Sequence, residues 1–263
     1  MHVKNLSRLL TLTLISISLT ACNLGTLPSE TSSLPTETLA ARETAVPGLC
    51  ANPLFPVKVG ATWTYSNSGG PAGTFSFTDT ITDIRADGFT LTSQFTDLTR
   101  TQEWACNPDG LLALTLGSAG SAAGLSTPGM NTEFTTSNVT GVTIPAIVQP
   151  GMEWLYNLNL EGTLSMADGQ SAQGEGTVST AMKAIGIENV AVPAGTFDAM
   201  KIRATSTFNI AATFQGFSVP VAFTVNATLW FAPGVGWVKS EESGEFASVS
   251  YSSATELQSY SIP

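Results

Sequence analysis

The chain has 263 residues, 43% of them hydrophobic and only 11% charged, with a formal net charge of −10. An acidic chain with no clustered basic patch argues against a nucleic-acid partner. The sole histidine, His2, falls in a segment expected to be removed. Without it the mature protein has no Ser-His or Cys-His nucleophile pair and no imidazole metal site.

Met1 to Leu19 reads as an export signal, in which Lys4 and Arg8 supply the positive start and Leu9–Leu19 the apolar run. That run is roughly half the ~20 residues of a spanning helix, so no permanent transmembrane segment is predicted. Leu19-Thr20-Ala21-Cys22 resembles the bacterial lipobox. The resemblance implies a signal peptide over 1–21 and a mature chain that begins at lipidated Cys22. Several acyl chains on one residue would hold it stably to the bacterial cell membrane, on the periplasmic or outer face. Without Lys4 and Arg8 the mature chain carries eight basic against twenty acidic side chains, a charge of −12.

Residues 22–49 are rich in Ser, Thr, Pro and Glu and are expected to form a disordered tether. About 26 such residues reach roughly 25–30 Å r.m.s. and would stand the folded body off the membrane. With Cys22 lipidated, Cys50 and Cys106 remain as a pair in an oxidising compartment. Bridged, they would pin the start of the body to the turn Asn107-Pro108-Asp109-Gly110; the alternative is two separate thiols.

From residue 50 to 263 the chain alternates as a single β domain. Trp63 and Tyr65 share one strand face, opposite Thr62 and Thr64. Phe75, Phe77 and Ile81 alternate with Ser76, Thr78 and Thr80, and Asp87-Gly88 signals a hairpin into Phe89, Leu91 and Phe95. A strand containing Trp104 then turns at Asn107–Gly110 into an apolar run ending at Leu116, which makes a meander the economical topology. Residues 117–129 are small and offer little to pack, so a mobile loop is expected there.

The second half opens with Trp154 and Tyr156, followed by Leu158, Leu160, Leu164 and Met166 and a turn near Ala167-Asp168-Gly169. A β region over about 177–187 leads to Val190–Phe197. Met200, Ile202, Ala204, Phe208, Ile210 and Phe214 then share a face, and Phe217, Val219, Val221, Phe223, Val225 and Leu229 answer them across Gln215-Gly216. This long hairpin is expected to dominate the core. Pro220 lacks an amide donor and places its strand at a local edge.

Three features recur in order. Gly60-Ala61-Thr62-Trp63-Thr64-Tyr65 returns as Gly151-Met152-Glu153-Trp154-Leu155-Tyr156, and Ala86–Phe89 returns as Ala194–Phe197. The Trp104 turn with its apolar restart returns at Trp230-Phe231-Ala232-Pro233-Gly234. They predict two related units, about 50–116 and 145–263. The motifs Pro56 to Tyr65, Val192 to Ile202 and Trp230 to Lys239 look like those of a widespread group of exported bacterial β-rich proteins, many lipid-anchored and uncharacterised. The resemblance implies an all-β curved antiparallel sheet, half-barrel or barrel-like, and brings no catalytic residues.

The chemistry-bearing residues are few, and no cofactor or metal is expected. Paired carboxylates are the one catalytic scheme the composition allows; Asp79 with Asp83, or Glu153 with Glu161, could serve as glycosidase acids, although solvated strand-face side chains are the commoner reading. The leading expectation is a non-enzymatic, lipid-anchored envelope protein that binds an apolar small molecule or a protein partner. Phe208, Phe214, Phe217, Phe223 and Trp237 are the candidate ligand contacts, although Trp237 is read first as packing. A structural or assembly component with a filled core is the alternative, and a carboxylate-dependent hydrolase ranks third.

Overall fold

In chain order the strands of the computed structural model are β1 (Thr62–Gly69), β2 (Phe75–Arg85), β3 (Gly88–Gln94), β4 (Thr99–Asn107), β5 (Gly110–Ala113), β6 (Met130–Gly141) and β7 (Ile144–Pro145). They continue with β8 (Glu153–Met166), β9 (Ser171–Val192), β10 (Gly195–Phe214), β11 (Phe217–Ala232), β12 (Gly236–Phe246) and β13 (Val249–Ser261). The structure describes residues 48–70, 73–116, 130–166, 171–214, 216–246 and 249–263. The expected signal segment, Cys22, the tether up to residue 47, the loop 117–129 and the turn at 167–169 lie outside them.

All thirteen strands join one antiparallel sheet in the order β6-β8-β9-β10-β11-β12-β13-β1-β2-β3-β4-β5-β7. The sheet is curved and is not closed into a barrel, so the expected all-β architecture is the one observed. Two meanders, β8 to β13 and β1 to β5, meet where β13 pairs with β1 (Thr62 opposite Ser261, Asn67 opposite Thr255). The segment containing β6 and β7 touches both edges. Its first part pairs with β8 as far as Gly141 opposite Tyr156, and its last part pairs with β5 through Gly110–Pro145 and Leu111–Ile144. Side chains reinforce this contact: the Tyr156 hydroxyl donates to the Ala113 carbonyl at 2.9 Å, and the Thr136 hydroxyl donates to the Leu114 carbonyl.

The inner face carries the core. Phe55, from the lead-in to β1, stacks on Trp63, Trp104 and Phe89 at centroid distances of 5.5, 5.8 and 6.0 Å. Cys50 and Cys106 are disulfide-bonded with their Cα atoms 4.9 Å apart, which ties that lead-in to the end of β4. The starts of β1 and β8 share one backbone geometry. Gly60 N–H donates to the Ile81 carbonyl, Ile81 N–H to Ala61 and Ala61 N–H to Lys58. Gly151, Ala184 and Met152 repeat the pattern with Ala184, Met152 and Gln149 as acceptors. Both glycines sit at positive φ, 81° and 87°, where a β-carbon would be strained.

Three expectations change. The β2–β3 turn is Ala86-Asp87, since Arg85 pairs with Gly88, and position 88 in β3 must be glycine because a β-carbon there would lie 2.3 Å from the Trp104 carbonyl oxygen. Trp104 and Trp230 are both buried but differ in setting: Trp104 stacks on Phe55 and Phe89, while Trp230 has the register opposite to Leu229 and Phe231, which line the inner cavity. The Lys201 and Lys239 ammoniums sit 5.3 and 5.5 Å from the Trp230 ring centroid. Only the base of the β10–β11 hairpin joins the core. Pairing of β11 with β12 begins at Val225, so residues 217–224 have a neighbour on one side alone, and Phe217 and Val219 are 77% and 54% exposed. Pro220 lies in that one-sided stretch, opposite Ala211, as its missing donor requires.

Candidate functional site

Ladder register places one row of small residues around a carboxylate. Ala204 of β10 lies opposite Ala227 of β11, Ala227 opposite Glu242 of β12, Glu242 opposite Ser253 of β13, and Ser253 opposite Gly69 of β1. Because the flanking side chains are short, the inner face is not filled there. A cavity of about 80 Å³ remains, whose lining includes Tyr156, Met182, Ile202, Phe208, Leu229, Phe231 and Glu242.

The polar lining of this cavity is otherwise satisfied. The Thr180 and Ser206 hydroxyls bond each other at 2.9 Å, the Tyr156 hydroxyl donates to Ala113, and the Thr143 hydroxyl accepts the Ala113 N–H. Glu242 Oε1 is shielded from solvent and has no hydrogen-bond partner. Burial pushes the Glu242 carboxyl up to about 7. Partial burial and the neighbouring Glu242 charge both raise the Tyr251 phenol. A carboxyl so placed can accept a hydrogen bond or hold a cation among apolar walls. Two broader hollows, about 710 and 550 Å³, are open to solvent; the first is lined by Arg203, Asn226 and Ser243 as well as by Ala204, Ala227 and Glu242, the second by Asn159, Glu161 and Glu175 as well as by Ile210, Pro220 and Val221. The smaller cavity is the most enclosed of the three and is the better candidate.

A family model matches residues 99–261, which span β4 to β13. The chain belongs to the DUF3108-like family. Among curated proteins none matches it. Of solved structures, a Bacteroides fragilis protein named as exported with a YmcC-like fold is 14% identical, with a TM-score of 0.49, over 81% of this chain and all of that one. A Parabacteroides distasonis protein named as a lipoprotein is 16% identical, with a TM-score of 0.48, over 81% and 99%. The hypothetical lipoprotein YmcC of Escherichia coli K12 is 10% identical, with a TM-score of 0.32, over 77% and 85%.

In this DUF3108-like chain the five aromatic candidates do not converge. Phe208 lines the cavity and Phe223 stacks on it at 4.5 Å, nearly parallel. Phe214 and Phe217 face each other at the hairpin tip, away from any enclosed space. Trp237 is only 2% exposed and packs 4.4 Å from Tyr65, with its indole N–H donating to the Lys239 carbonyl at 2.8 Å. It offers a ligand no surface.

The carboxylate pairs also separate. Asp79 faces inward and accepts the Ser93 hydroxyl at 2.5 Å, and burial pushes it up to about 7 against the pull of that bond. A bulge between Ile81 and Asp83 breaks the alternation, and Asp83 pairs with Arg85 in solvent. Glu153 pairs with Lys183, and Glu161 lies eight residues further along β8, roughly 27 Å away at strand rise. That is well beyond the ~5–10 Å of a glycosidase pair. Glu242 itself escaped the sequence reading. Its signal was present in Glu241-Glu242, since adjacent residues of a strand cannot both face water when one face is packed.

Proposed function

We propose that this DUF3108-like chain is an exported, lipid-anchored, non-catalytic envelope protein that receives a small apolar group on the concave face of its sheet. The observation that carries this reading is the cavity beside Glu242, apolar in its walls, with one buried acceptor left unbonded. Its Ser, Thr and Tyr hydroxyls are committed to one another or to backbone, which leaves no nucleophile held by a base. At about 80 Å³ the cavity is well below the ~300 Å³ of a typical ligand cleft, so it suits one end of a ligand more than a whole drug-sized molecule.

The address rests on Leu19-Thr20-Ala21-Cys22. The body is best explained as two β units of common descent, a reading supported by the matching hydrogen bonds at Gly60 and Gly151. The second reading, a structural component with a filled core, is favoured by the Phe55, Trp63, Phe89 and Trp104 stack, which leaves no space in that half of the sheet. Native mass spectrometry of protein purified from its host membrane separates the two. A bound small molecule that is lost in a cavity-filling Ala227→Leu variant supports binding, and an unliganded mass throughout favours the filled-core role. Separately, Cys22→Ala is expected to abolish acylation and membrane partitioning, and retention in the membrane would defeat the anchor.

A further inference from the structure

The interior of a β sheet rarely leaves a carboxylate oxygen without a partner, because the desolvated charge is not compensated. Among the described residues, the cationic side chains of the neighbouring strands are paired elsewhere or take the opposite register. Lys201 binds Glu188 at 2.8 Å on the outer side of the sheet, and Lys239 binds Glu241 at 3.0 Å on that side, across Trp230. Arg203 has the register opposite to Ala204 and points away from the cavity, since Ile202 and Ala204 line it. On the inner side Glu242 faces Ala227, Ser253 and the Tyr251 phenol, none of them a cation.

We propose that the group received by this cavity is a primary ammonium on a short aliphatic stem, held by Glu242 Oε1. The inference rests on the reading of the cavity as a ligand site and adds the chemistry of the ligand's head. Several features select that head. The unbonded atom of the ionised carboxylate is an acceptor, so its partner in that form must donate. A charge-assisted bond to a carboxylate out of water is roughly twice as strong as a neutral one, which favours ammonium over hydroxyl. The small row Ala204, Ala227, Ser253 and Gly69 leaves width for a compact tetrahedral –NH₃⁺, whereas a planar guanidinium needs acceptors for five N–H donors and the unbonded buried acceptor here is the single atom Glu242 Oε1. The stem then lies against Met182, Ile202, Leu229 and Phe231, apolar side chains that match methylenes and offer nothing to a second polar group. A net charge of −10 favours approach of a cation and disfavours an anion.

The test uses the full acylated chain in detergent, with the Met182 methyl carbon as an NMR reporter of the cavity wall. Three probes of matched length are titrated at about pH 8, where the carboxyl is largely ionised and the amine stays protonated: n-butylamine, 1-butanol and n-butyrate. The expected result is a saturable Met182 shift from butylamine at a concentration at least about tenfold below that for butanol, with none from butyrate. Glu242→Gln, which keeps the shape, should reduce the preference to about unity. Equal response to butylamine and butanol in the unaltered chain overturns the ammonium assignment while leaving the cavity a ligand site. Failure of all three probes to move Met182 overturns the ligand site itself, leaving a cavity that holds only water. Because the unaltered chain decides each case, the outcome does not depend on the variant folding.

Discussion

Tyr65 donates its hydroxyl to the Trp237 carbonyl oxygen at 2.9 Å, while its ring lies 4.4 Å from the Trp237 indole, centroid to centroid. The two residues belong to β1 and β12, which are not neighbours, because β13 runs between them. The contact therefore bridges the inner face over an intervening strand and locks the two meanders together. Tyr65→Phe keeps the ring and removes the bond, leaving a buried carbonyl unsatisfied. A loss of about 1–2 kcal/mol in urea denaturation is expected. Trp237→Ala keeps the backbone carbonyl that accepts this bond but removes the indole, and should cost about 3–5 kcal/mol. An unchanged midpoint in Tyr65→Phe would show that packing alone holds this junction.

Stability should fall as pH rises. Burial holds both Asp79 and Glu242 up at about 7. In the unfolded chain both titrate near pH 4. Between about pH 4 and 7 the unfolded chain releases protons that the folded chain keeps, so stability declines through that window. Below it the penalty is absent, and above it the penalty is complete, at roughly 1–3 kcal/mol per group once partial exposure is allowed for. Glu153 and Glu188 shift downward beside Lys183 and Lys201, but they are exposed and solvent screens their effect. Thermal midpoints are expected to be higher at about pH 5 than at about pH 8, with the difference largely removed in an Asp79→Asn, Glu242→Gln double variant. A midpoint that climbs over that interval would contradict the burial of both carboxyls.

Much of this fold was legible because alternation reports which face a residue takes. Trp63, Tyr65, Phe77, Ile81, Phe89, Leu91 and Trp104 are all buried on the face their period assigned. Alternation does not report which strands meet. Nothing in the local pattern of residues 249–261 signalled that β13 would pair with β1, nearly two hundred positions away in sequence. It also fails wherever a strand gains a residue. The irregularity between Ile81 and Asp83 turns Asp83 outward, and the one opposite Lys201 and Ile202 inserts Ile185 into β9, where it is 37% exposed beside the buried Ala184. The candidate site suffered most. Phe217 looked like core by period but extends past the last pairing with β12, whereas Glu242 looked like surface by composition and faces in.

Reduction of the disulfide should be costly for a reason beyond the bond. Cys50 and Cys106 close a loop of 56 residues in sequence separation, worth about 4 kcal/mol of unfolded-state entropy. The same closure holds Phe55 in the stack with Trp63, Phe89 and Trp104. Reduced protein is expected to show a lower urea midpoint and a weakened near-ultraviolet signal from these rings. Coincident unfolding curves for oxidised and reduced protein would mean that the lead-in is held by packing alone.

Gly110 is the position least able to accept a side chain at the junction of β5 and β7. It has a φ of 140°, and a β-carbon there would sit 2.3 Å from the Ile144 carbonyl oxygen and 2.7 Å from the Ala146 nitrogen. Both neighbours are backbone, so neither can swing aside. Gly110→Ala must therefore part β5 from β7, and with it the Ala146 N–H bond to Asp109 and the Thr143 N–H bond to Leu111. A loss of more than about 2 kcal/mol is expected. Hydrogen exchange gives the sharper readout: the amides of Thr143 and Ala146 should lose protection in Gly110→Ala while those of the β9–β10 ladder keep theirs. Uniform loss across the sheet would instead mean that this edge contact is part of the cooperative core. Unchanged protection at Thr143 and Ala146 would remove β7 from the sheet.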